Sequence, residues 1–176
     1  MQRLVILTGC SSGGKSSLLL ELATRSHTIV PEAGRRIVTE ALQQGHANLP
    51  WANPEAFARR AIDVSRNDIA AQGTATGFIF FDRGLIDALA ALEHVTGAVD
   101  FTDYPELAMF DPLVFIAPPW PEIYVQDSER QHGIAEAIEE YERLRAIYPR
   151  LGFKLVELPK VSIFERADFV ETTLNG

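Results

Sequence analysis

The run Gly9-Cys10-Ser11-Ser12-Gly13-Gly14-Lys15-Ser16 brings together the residue types needed to hold a polyphosphate. Gly13 and Gly14 permit backbone conformations that aim successive N–H groups at phosphate oxygens. Lys15 adds a point charge near the β- and γ-phosphates, and the Ser16 hydroxyl can ligate Mg²⁺. The pattern is that of a P-loop, and its surroundings fit: an apolar run at 4–7 precedes it and a helix-like segment follows, directing its positive end at the same anion. The donor site is therefore expected to use Gly9, Ser11, Ser12, Gly13, Gly14, Lys15, Ser16 and Ser17, with ATP and Mg²⁺ as ligands. Cys10 reads as a small loop residue rather than a nucleophile.

Two further groups suggest what is done with the phosphate. The apolar run 78–81 ends in Asp82-Arg83-Gly84, where a hydrolase usually carries a water-activating Glu. A carboxylate near Mg²⁺ followed by a cation near substrate suits phosphoryl transfer; the alternative is an Asp that caps the next helix. The short run ending at Val30 leads into Pro31-Glu32-Ala33-Gly34-Arg35-Arg36. Glu32 could take the proton of an attacking hydroxyl, with Arg35 or Arg36 on its helical face to hold the acceptor. Equally, Glu32 could be a first-turn residue stabilised by the helix dipole and paired with Arg. In the polar segment 120–148, Arg130 is the first choice for a cation that a lid brings to the transferring group. Arg143, Arg145 and His132 read more simply as surface residues; Glu139 and Arg143 have ion-pair spacing.

The elements that must position these residues alternate. Strands are expected at 4–7, 27–30, 78–81, 113–116 and 153–158, and helices at 15–25, 33–44, 54–72, 86–95 and 128–148. Asn53 should cap the third helix, whose Phe57, Ala61 and Val64 share a face and whose Arg59 and Asp63 are spaced as an ion pair. Ala137, Tyr141, Leu144 and Tyr148 form one stripe of the lid helix, and Ser162 with Glu165 reads as a capping box for a closing helix. The sum is a single α/β domain over 1–176, a three-layer sandwich around a five-stranded parallel sheet, with a helical lid. Ligands of such a fold bind at the carboxyl ends of the strands.

Absences narrow the class. There is no Asn-Lys-x-Asp guanine motif, no Leu-Ser-Gly-Gly-Gln signature, and no room after the core sheet for the helical domain of a mechanical motor. Acidic residues outnumber basic ones 24 to 16, for a net charge of −8, which argues against tracking a nucleic acid. No apolar stretch is long enough to cross a membrane, no leader is evident, and the single cysteine fits a reducing compartment, so the cytoplasm is the expected location.

Taken together, Val30-Pro31-Glu32-x-x-Arg35, Phe81-Asp82-Arg83-Gly84 and Pro118-Pro119-Trp120-Pro121-Glu122-Ile123-Tyr124 resemble a P-loop NTPase family of small predicted ATPases. The segment 141–148, Leu151-Gly152-Phe153 and Leu158-Pro159 extend the resemblance over nearly the whole chain. Relatives of that family include the ribosylnicotinamide kinase domain of a bacterial NAD-biosynthesis regulator. More distantly, the Glu32 segment is similar to that of deoxynucleoside kinases, where the matching Glu is the proposed base. Asp82-Arg83-Gly84 likewise resembles their Glu-Arg-Ser and the Asp-Arg of thymidylate kinases. The resemblance implies a kinase using Mg-ATP, with Lys15, Glu32, Asp82 and Arg130 catalytic, Ser16 and Asp82 on the metal, and Glu32, Arg35, Arg36 and Arg83 toward a small-molecule acceptor. A nucleotide-dependent regulator or slow ATPase is the alternative. Acceptor identity, ATP against GTP, and oligomeric state are left open.

Overall fold

A computed structural model describes residues 2–11, 13–44, 52–73, 76–123 and 133–176. Strand β1 (Gln2–Gly9) is apolar on both sides, as a strand covered on both faces must be. It lies at the centre of a five-stranded sheet of order β2-β3-β1-β4-β5, with β2 (Thr28–Val30), β3 (Gly77–Asp82), β4 (Leu113–Ala117) and β5 (Lys154–Glu157) all parallel. The register sets Leu7 beside Asp82 on one side and Gly9 beside Ala117 on the other. The ends of β1 and β3 therefore open together.

The helices are α1 (Lys15–Thr24), α2 (Ala33–Gln44), α3 (Pro54–Ala71), α4 (Leu85–Thr96), α5 (Ile134–Arg150) and α6 (Ile163–Asn175). The alternation of β1 divides the core. Val5 and Leu7 face α1 and α6 through Leu18, Leu22, Val170 and Leu174. Leu4 and Ile6 face the opposite layer, where α3, α4 and α5 contribute Ile62, Leu89 and Tyr148. Each inward Leu or Ile of this kind contributes about 1.5–3 kcal/mol by leaving water. Both edge strands are short and only partly buried, as edges should be. Among the described residues no helix is long and apolar enough to cross a membrane.

Local signals account for several boundaries. The Asn53 side chain accepts the Ala56 N–H at 3.0 Å, and Pro54 occupies the first turn of α3. Its buried stripe is Ala58, Ala61, Ile62, Ser65 and Ile69, with Phe57 and Val64 at its margin. Arg59 pairs with Glu55 at 2.8 Å rather than with Asp63, because Glu55 lies one turn back toward the helix start. Ser162 and Glu165 form the expected reciprocal cap of α6, with Ser162 N–H donating to the Glu165 carboxylate at 3.1 Å. Of the segment expected to act as a lid, α5 buries Ala137, Tyr141, Leu144 and Tyr148. That half is a layer of the sandwich; Arg130 and His132 lie outside the described residues.

The turn from β3 into α4 is tight. A Cβ on Gly84 would stand 2.8 Å from Ile6 Cδ1, so this position accepts nothing larger without displacing a core side chain. Gly84→Ala should therefore cost about 1–3 kcal/mol, and Ile6→Val, which removes that methyl, should recover part of it in the double variant. Urea unfolding of the four proteins measures the coupling; strict additivity would mean the two side chains do not meet.

Candidate active site

The loop after β1 closes on itself. Gly13 N–H donates to Cys10 O at 3.1 Å, and Cys10 N–H to Ala117 O at 3.0 Å, tying the loop to β4. Gly9 at φ +112° and Gly14 at φ +77° take backbone conformations that L side chains rarely adopt. Gly13 is needed for a different reason: a Cβ there would lie 2.9 Å from that of Ala117. The conformational demand expected of Gly13 thus falls on Gly9. Lys15 is buried, and its ammonium leans on its own loop, donating to Cys10 O at 2.8 Å and Gly9 O at 3.3 Å. Burial, with Arg83 nearby, pushes its pKa down, while Asp82, Glu32 and Glu140 pull the other way. Cys10 is a buried free thiol whose pKa burial pushes up, consistent with an inert packing residue.

Asp82 ends β3 beside the start of this loop. It does not cap α4: that role falls to Asp87, which accepts the Gly84 N–H at 2.8 Å. Asp82 Oδ1 is instead buried without a hydrogen-bond partner. Burial and the neighbouring Glu32 raise its pKa to about 6. An unpartnered carboxylate oxygen and the Ser16 hydroxyl on one cavity wall are a donor pair suited to a hard cation such as Mg²⁺.

Arg83 follows at φ +61°, an uncommon conformation for a residue with a side chain. Its guanidinium forms a two-pronged pair with Glu140 of α5, both contacts at 3.0 Å. It also stands 3.4 Å from Glu32 and 3.7 Å from Asp87. Burial alone would lower its pKa, but Glu140, Glu32 and Asp87 hold it well above the usual value. Asp87 is itself buried and accepts from Thr8 and, at 2.6 Å, from the Tyr148 hydroxyl. Arg35 approaches Glu32 at 3.9 Å, whereas Arg36 turns to α3 and pairs with Asp68.

Two cavities meet at these residues. A larger one of about 520 Å³ is lined by Ser11, Gly14, Lys15, Ser16, Ser17 and Trp120, and by Arg166 of α6. A smaller one of about 100 Å³ lies among Pro31, Phe57, Ala61, Phe81 and Ala88. Glu32, Asp82 and Arg83 belong to both walls. Of the expected site residues, Ser12 and Arg130 lie outside the described residues, and neither Arg35 nor Arg36 lines these two cavities. Glu140, Asp87, Thr8 and Arg166 were not singled out in the sequence. Asp87, one helical turn after Arg83, was the one among them with a spacing signal.

A parallel sheet with a phosphate loop between its central strand and α1, and an Asp-Arg at the neighbouring strand end, defines a P-loop NTPase of the nucleotide-kinase-like type. Over residues 4–166 the chain matches the family model described as an AAA domain, and it belongs to that family. Among solved structures it is similar to deoxyadenosine kinase from M. mycoides with products dCMP and a flexible dCDP bound, at 15% identity, TM-score 0.66 and 98% coverage of both chains. It is also similar to deoxyadenosine kinase from M. mycoides with bound dATP, at 13% identity and TM-score 0.58, covering 98% of this chain and 100% of that one. At such identities the likeness is one of fold. No curated protein matches the chain.

Because the folded state favours the protonated Asp82, ionisation as pH rises through about 6 costs stability in the ligand-free protein. Asp82→Asn should remove that cost. The variant should be the more stable at pH 7, with the advantage shrinking on acidification and gone near pH ~4, where the unfolded carboxyl also protonates. Urea midpoints across that range test this; a pH-independent difference would contradict it.

Proposed function

We propose that the protein is a kinase that transfers the γ-phosphoryl group of ATP to a hydroxyl of a small, nucleoside-like molecule. The observation that carries this reading is the shared wall: Glu32, Asp82 and Arg83 stand between the P-loop cavity and a second, smaller pocket. A hydrolase needs only a water beside its phosphate. A separate pocket with an apolar floor and a carboxylate at its mouth suits an organic acceptor.

In this reading the acceptor hydroxyl gives its proton to Glu32 as its oxygen forms a bond to the γ-phosphorus. The bond from that phosphorus to the β,γ-bridging oxygen breaks, and ADP leaves with the electron pair. Lys15 moves from its loop carbonyls to the phosphate oxygens. Mg²⁺, held through Ser16 and Asp82, would neutralise charge on the same oxygens. Arg83 and Arg35 orient the acceptor, and Arg130 is the candidate for a cation that closes over the reacting group. A net charge of −8 supports a small acceptor rather than a nucleic-acid end. The buried thiol of Cys10 fits the reducing cytoplasm.

Release of ADP that depends on an added acceptor, measured across a panel of nucleosides and related vitamins, tests the reading. Glu32→Gln should keep ATP affinity while slowing transfer by about 10²–10⁴-fold. Lys15→Ala should abolish transfer. Tight ATP binding with no acceptor-dependent ADP from any compound would make the chain a nucleotide-dependent regulator instead, and unchanged turnover in Glu32→Gln would remove Glu32 as the base.

A further inference from the structure

Arg166, in the first turn of α6, is 1% exposed. Its Nη1 donates to the carbonyl of Gly13, inside the phosphate loop, at 3.0 Å. Its guanidinium lies 5.5 Å from the centre of the Trp120 ring. Nε and Nη2 are buried with no hydrogen-bond partner, and among the described residues no carboxylate pairs with it. The contrast with Arg83 is sharp, since that guanidinium is met by three carboxylates. A buried cation lacking a counter-charge is costly, so a state that supplies one would offset the cost.

We propose that the missing counter-charge is the polyphosphate of the bound nucleotide, and that Arg166 acts on it through Gly13 as a positioning residue of the donor site. Gly13 spends its N–H within the loop, on Cys10 O, while its carbonyl receives the guanidinium. Arg166 also lines the phosphate cavity with Lys15 and Ser16, while its two unpaired nitrogens are sealed from solvent, so its charge reaches that cavity as a field at close range. The ligand class is a nucleoside triphosphate read by its phosphates, irrespective of base. The inference rests on triphosphate binding in the P-loop and not on transfer to an acceptor.

Arg166→Met removes the charge and keeps an apolar stem under Trp120; Arg166→Lys keeps the charge and loses the fork. Thermal midpoints without ligand and dissociation constants for Mg-ATP, Mg-GTP and tripolyphosphate should be measured for each. Arg166→Met should be at least as stable as wild type without ligand, yet bind all three ligands about tenfold or more weakly, by a common factor. Arg166→Lys should recover part of that affinity. A methionine variant that is less stable without ligand but stays within about twofold of wild type in affinity would make Arg166 a structural brace and overturn the proposal. A loss confined to the nucleotides and absent with tripolyphosphate would make it a base reader, which also overturns it. If the methionine variant loses both stability and affinity, restored affinity in the lysine variant supports the proposal, and failure to restore it counts against. Wild-type protein that binds none of the three ligands would sink this inference and the donor site together. Binding without transfer would leave the inference standing while ending the kinase reading.

Discussion

The site is organised around a cation that cannot be left alone. The Arg83 guanidinium sits at the carboxyl end of an internal strand, within 4 Å of carboxylates from the loop after β2, from α4 and from α5. Each of these belongs to a different stretch of chain, and a lone buried charge costs far more than the paired ones. The surrounding elements must therefore arrive in one arrangement. Asp87 carries the constraint further, because its own hydrogen bonds reach Thr8 on β1 and Tyr148 on α5. One connected polar network thus fixes the ends of β1 and β3 against two helices, inside an otherwise apolar layer.

Charge is divided across the cleft. On the side of the phosphate loop lie Lys15, Arg166 and the N-terminus of α1; the other side is edged by Glu32, Asp82, Asp87 and Glu140, with Arg83 among them. Such a division places positive charge on one side of the shared wall and most of the carboxylates on the other. The raised pKa of Asp82 marks the seam, since burial and Glu32 act on it together from the acidic side while Lys15 opposes them.

Local patterns made most of this architecture readable. Apolar runs separated by amphipathic segments placed all five strands, and Asn53 and the Ser162–Glu165 pair marked helix starts that the backbone obeys. The phosphate loop was legible because its function is encoded in contiguous residues. What escaped was long-range. Glu140 reads on its own as one more acid on a polar helix, and only the packing of α5 brings it to Arg83, 57 residues away in sequence. Arg166 carries no local sign at all. Arg36 shows the converse, where spacing allowed a partnership with Glu32 but α3 offered Asp68. The stripe on α5 predicted a buried face correctly, and that burial makes this helix part of the sandwich.

The hydrogen bond from Arg166 to Gly13 joins residues 153 positions apart. On a ribosome, residues 9–16 precede all but the first strand, and the side chain that bonds Gly13 emerges only after all five strands have been synthesised. Contacts of such sequence separation slow folding, because the chain between them must be ordered first. The loop's conformation is thus set by its own glycines, while its bond to Arg166 can form only when α6 docks. Loss of α6 would therefore leave the phosphate loop without its bond to Arg166.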